Sequence, residues 1–155
     1  MASEMIVEKS VVIDQPIAIV FEYLRFAKNM DQYSVWNMKD PYKKADYYGT
    51  DGTVGFVYKW DSKDKSVGAG EQKITLMVQN ERIEYEMKFE RPMKNTGSSK
   101  FILTEVNPNH TMVTWDFRGP TKFPMSLFKG IFQKMLGKDL MMSLENLKKR
   151  LEQEG

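Results

Sequence analysis

The chain has 155 residues, 41% hydrophobic and 28% charged, with 23 lysines and arginines against 21 aspartates and glutamates for a net charge of +2. That length suits one hydrophobic core, so a single domain spanning residues 1–155 is expected. Mixed charges argue against nucleic acid as a partner, no stretch reaches the ~20 apolar residues of a transmembrane segment, and the lack of cysteine removes disulfides, thiol nucleophiles and thiolate-bound metals.

Val7 to Ile13 is rich in β-branched residues and reads as a strand that stops at Asp14-Gln15-Pro16. Asp14 is placed to cap a helix, Pro16 suits its first turn, and Ile17, Val20, Phe21 and Leu24 follow at helical spacing. A second short helix is expected within Ala27 to Trp36, with Met30 and Tyr33 on one face. Beyond Pro41 the period changes to alternation, and turn signals separate runs of strand length.

Tyr42 to Tyr48 is the first and weakest of these runs. Val54, Phe56, Tyr58 and Trp60 then alternate with Gly55, Val57 and Lys59. Val67 to Val78 carries Gly68 and Gly70, which point to a bulge, and Asn80-Glu81 turns the chain. Ile83, Tyr85, Met87 and Phe89 alternate strictly with charged residues. Pro92 to Gly97 reads as a loop, Ser98 to Val106 as a strand, and Thr111, Val113, Trp115 and Phe117 as the inward side of another. A long helix is predicted from Pro124 to about Glu152, where Leu136, Leu140, Leu144, Leu147 and Leu151 make a seam. A curved antiparallel sheet wrapped around that helix satisfies both patterns, an α+β architecture.

This order, with the opening pattern of strand, Asp14-Gln15-Pro16, Val20-Phe21-Glu22-Tyr23-Leu24 and then Trp36, resembles the helix-grip superfamily. That group includes START lipid-transfer domains, birch-pollen-allergen-like proteins and polyketide cyclase/dehydrase-like proteins, and the similarity covers nearly the whole chain. The resemblance implies a helix-grip fold with a cavity between the concave sheet and the long helix. Members use such a cavity to hold a lipid, polyketide, hormone or other apolar molecule.

Under that reading Tyr58, Trp60, Tyr85, Met87, Trp115 and Phe117 line the sheet side, Tyr33 and Trp36 close one end, and the helix offers Phe128, Phe132 and Met135. Solid core packing would use the same aromatic residues. Phe128, Ile131, Met135 and Met142 lie on a helix stripe turned away from the leucine seam, suited to an entrance or to a partner surface. His110 lies in the Asn-Pro-Asn-His turn and reads as a solvated turn residue; Asp116 and Arg118 read as a surface ion pair worth ~0–1 kcal/mol.

Three functions compete. The first is binding or transfer of a hydrophobic or amphipathic small molecule without catalysis. The second is a cyclase/dehydratase-like enzyme, for which the sequence shows no acid/base signature. The third is a protein-interaction module using the Met-rich helix face. No metal or redox cofactor is expected, and the chain is expected to be a cytoplasmic monomer or homodimer.

Overall fold

A computed structural model describes residues 3–91, 94–121 and 129–153. Seven strands form one antiparallel curved sheet: β1 (Ser3–Ile13), β2 (Lys44–Tyr48), β3 (Val57–Asp61), β4 (Ala69–Val78), β5 (Arg82–Arg91), β6 (Asn95–Asn107) and β7 (His110–Thr121). Their order across the sheet is β1-β7-β6-β5-β4-β3-β2. Helix α1 (Ile17–Leu24), a 3₁₀ helix (Ala27–Gln32) and α2 (Val35–Lys39) follow β1, and the long helix α3 (Lys129–Gln153) is the last described element. The sequence-predicted start of that helix at Pro124 lies outside the described residues, as does Phe128.

Alternation decides which side chains meet the core. Val7 faces Phe117 across β1 and β7, while Phe101 faces Trp115 and Ile83 across β6 and its neighbours. The leucine seam closes the other side: Leu140, Leu144, Leu147 and Leu151 are at most 2% exposed, and each contributes ~2 kcal/mol by leaving water. Helix α3 runs along β1, the edge strand. Gln133 donates to the Ile6 carbonyl at 3.2 Å and Lys148 to the Val12 carbonyl at 2.8 Å, so side chains satisfy backbone groups of an edge that would otherwise recruit another strand.

Several local expectations are corrected. Asp14 does not cap α1: Pro16 holds the cap position, and the Asp14 backbone N–H instead donates to the Glu152 carboxylate at 2.9 Å. The single second helix is two, because Asp51 caps the 3₁₀ helix through the Ala27 and Lys28 N–H groups, while Ser143 Oγ takes the Val35 N–H at 3.0 Å and starts α2 afresh. Strand β3 begins at Val57, since Gly49, Gly52 and Gly55 all adopt positive φ and keep the preceding segment a loop. Strand β6 begins at Asn95 rather than Ser98. Gly97 pairs with Met87 there, and a side chain in its place would stand 2.9 Å from the Arg118 carbonyl oxygen. Asp116 forms its expected pair with Arg118 at 2.9 Å, yet it is 1% exposed and flanked by Glu8 and Lys100 on the outer face.

Candidate ligand cavity

A cavity of about 170 Å³ lies between the concave sheet and α3. One wall is hydrocarbon and ring: Trp60, Val67, Phe89, Phe117, Leu136 and Leu140. Strand geometry explains its aromatic side. Trp60 sits opposite Gly70, whose missing side chain leaves space for the indole; a Cβ there would be 2.9 Å from Trp60 Cζ2 and would collide with the Lys88 carbonyl. The Trp60 N–H donates to the Val67 carbonyl at 3.3 Å, and its ring meets Phe89 edge-on with centroids 6.1 Å apart. Phe89 in turn packs against Phe117 at 6.3 Å.

The opposite wall is polar and comes from the connection between α1 and β2. Ser34, Trp36, Asn37 and Lys43 line the cavity there, next to Tyr58 and Gln72 on neighbouring strands. Helix α3 fixes this segment, because Asn146 donates to the Tyr33 carbonyl at 3.1 Å and Ser143 holds the start of α2. Behind the wall, Asp31 Oδ1 accepts the Tyr58 hydroxyl at 2.7 Å and the Asn37 amide at 3.1 Å, and it pairs with Lys43 Nζ at 3.2 Å. Lys43 also donates to the Asn37 carbonyl at 3.1 Å, and only 8% of its side chain is exposed. Burial pushes the Tyr58 phenol well above its ordinary range, and donation to the Asp31 carboxylate adds to the shift, because ionised Tyr58 would lose that bond and face a negative neighbour.

Six residues singled out in the sequence line the cavity: Trp36, Tyr58, Trp60, Met87, Trp115 and Phe117. Tyr33 and Tyr85 lie beyond its wall in the core, at 0% and 1% exposure, both edge-on to Phe101. Burial raises both phenols, whose hydroxyls have no hydrogen-bond partner among the described residues. Phe132 and Met135 do not line the cavity. The 100° step along α3 sends Leu136 and Leu140 to it instead, and leaves Met135 60% exposed in a shallow groove with Lys9, Lys134 and Lys138. Ile131 and Met142 are likewise exposed.

Met30, Ser34, Asn37, Lys43, Val67 and Ser99 line the cavity without having been singled out. Met30, Ser34 and Asn37 are spaced four and three apart, a helix-face signal hidden by the break at Tyr33 and Ser34. Lys43 offered none, since a lysine beside a weak strand looks solvated. His110 bonds Asn107 at 2.8 Å and stands 3.3 Å from Asp14, away from the cavity.

The family model described as polyketide cyclase/dehydrase and lipid transport matches residues 4–152. No curated protein matches the chain by sequence. Among solved structures, norcoclaurine synthase from Thalictrum flavum, in complex with dopamine and hydroxybenzaldehyde, superposes with a TM-score of 0.72 at 8% identity over 99% of this chain and 90% of its own. A START superfamily protein from Mycobacterium smegmatis gives 0.66 at 14% identity, over 97% of this chain and 99% of its own. DynU16, from the dynemicin biosynthetic locus, gives 0.66 at 16% identity over 95% of this chain, which spans 47% of the length of DynU16. At these identities the likeness establishes the fold. No helix among the described residues is long and apolar enough to cross a membrane.

Proposed function

The chain belongs to the polyketide cyclase/dehydrase and lipid transport family, and from that premise we propose that it binds a hydrophobic or amphipathic small molecule in the cavity between the sheet and α3. The observation that carries this reading is the cavity itself, about 170 Å³ of space kept open beside side chains that are otherwise closely packed. An apolar cavity of ~150 Å³ suffices for benzene, so a single ring or a short acyl segment fits the enclosed part. A longer lipid chain needs the walls to part. The family description, which includes lipid transport, and the aromatic ligands of norcoclaurine synthase support a cavity ligand of this kind.

The direct test is native mass spectrometry of freshly purified protein, with extraction and identification of any retained molecule. Titration with ring-sized apolar compounds, followed by tryptophan fluorescence, tests the location. Trp60→Ala is expected to change affinity more than Met112→Ala, because Met112 pairs with exposed Val12 and Thr104 on the outer sheet face. Equal effects at both positions, or no binding across a broad panel, would remove the cavity reading.

A second reading, cyclase/dehydratase-like catalysis, is favoured by one observation: Tyr58, Asp31, Asn37 and Lys43 converge at the cavity's polar side. A hydroxyl, a carboxylate and an amine within bonding distance are the parts of a proton relay. Substrate turnover by wild type that is lost in both Tyr58→Phe and Asp31→Asn would support it.

A further inference from the structure

The cavity wall holds more hydrogen-bond donors than the protein satisfies. The Trp115 indole N–H is buried with no partner among the described residues. Among the described residues Gln72, 7% exposed, donates its amide only to the Met30 thioether at 3.3 Å, a weak acceptor. The Lys43 ammonium carries three N–H donors, and its partners among the described residues are the Asp31 carboxylate and the Asn37 carbonyl, which leaves one over there. Buried donors left unpaired cost free energy, so a molecule that brings an acceptor into the cavity gains more than its apolar area alone provides.

The same wall disfavours an anion. Asp31 already neutralises Lys43 at 3.2 Å, and the other donors belong to uncharged groups. A second carboxylate brought against Val67, Phe89 and Leu136 would lose its hydration without a free counter-charge among the described residues.

Resting on the reading of this cavity as a ligand site, we propose that its ligand is a ring-sized, uncharged molecule bearing one hydrogen-bond-accepting oxygen, of the ketone, aldehyde or ester class. Its apolar body packs on Trp60, Phe89 and Phe117. Its oxygen lies on the Tyr58 side of the cavity, where Lys43 and Gln72 stand.

Isothermal titration of the whole chain with isopropylbenzene, acetophenone and benzoate, three single-ring compounds of similar size, separates the cases. Acetophenone is expected to bind about fivefold tighter than isopropylbenzene, as one added hydrogen bond allows, with benzoate weakest. Lys43→Met and Gln72→Leu should each lower the ratio between the two neutral compounds, whereas Met112→Ala should leave it unchanged; circular dichroism checks each fold, and the two variants stand in for one another if one fails to fold. Equal wild-type affinities for the two neutral rings, or tightest binding of benzoate, would overturn this proposal and leave the cavity a ligand site. Failure of all three compounds to bind would overturn the cavity reading with it.

Discussion

The Tyr58 hydroxyl donates to Asp31 Oδ1 at 2.7 Å across 27 residues of chain, tying the 3₁₀ helix to β3 beside the cavity. A hydrogen bond to a carboxylate contributes more than one between neutral groups. Tyr58→Phe keeps the ring and deletes the bond. We expect a loss of about 1–2 kcal/mol in urea unfolding, moderated because Asn37 and Lys43 remain on Asp31. No loss would mean that water replaces the hydroxyl without cost.

Alkaline stability follows from three phenols. Tyr33, Tyr58 and Tyr85 all have folded-state pKa values raised above the ordinary 10.0, chiefly by burial. A raised pKa gives stability that is intact below 10.0 and lost as pH climbs toward the folded values, because the unfolded chain releases those protons first. Of the seven tyrosines, these three should therefore contribute to the absorbance of ionised tyrosine only as the chain unfolds. Titration of all seven together, before circular dichroism changes, would contradict this.

The acid limb involves Asp116. Burial opposes its ionisation, but the hydrogen bonds from Arg118 and the nearby cations Arg118 and Lys100 hold its carboxyl below the ordinary 3.8. A lowered pKa gives stability that is present above 3.8 and lost as pH falls through the folded value. Asp116→Asn should be less stable than wild type at neutral pH and should lose less stability on acidification below about pH 4. Parallel stability profiles for the two proteins would refute the assignment.

The alternating strands and the leucine seam were legible because period and burial coincide there: Ile83, Tyr85, Trp115 and Leu144 are buried where spacing placed them. The polar side of the cavity was not legible. Lys43 is buried only because Asp31, twelve residues earlier, turns its carboxylate toward it, and a pattern along one element carries no trace of such a pair. Phe132 and Met135 failed for a related reason. Their apolar character fits a wide helix face, and only the contact of α3 with β1 selects Leu136 and Leu140 as the residues that reach the cavity. Asp116 alternated outward as expected, yet exposure did not follow, since neighbouring long side chains on β1 and β6 cover it.

Gly70 offers a test of how tightly the aromatic wall is built. Its strand lies so close to β5 and to the Trp60 ring that a methyl group would collide with the Lys88 carbonyl and press on Trp60 Cζ2. Gly70→Ala should cost about 1–3 kcal/mol by overpacking and should shift Trp60 fluorescence. A neutral change in both would show that the strand pair yields freely.

Leu140 connects stability to ligand size. It is 1% exposed, belongs to the α3 seam and lines the cavity, so Leu140→Ala removes seam packing and enlarges the cavity in one step. Leu144, 0% exposed, belongs to the seam and does not line the cavity. Either substitution should cost about 2–5 kcal/mol, the range for emptying a buried leucine site. Their responses to ligand should then diverge. A two-ring compound such as naphthalene has more apolar area than the native cavity encloses; it should bind Leu140→Ala more tightly than wild type and return part of the lost stability, because a ligand that favours the folded state raises its stability by mass action. Leu144→Ala should gain no such rescue at the same ligand concentration. Thermal melts with and without naphthalene measure both effects. Equal rescue of the two variants would place binding at a general defect in the core and away from the cavity that Leu140 lines.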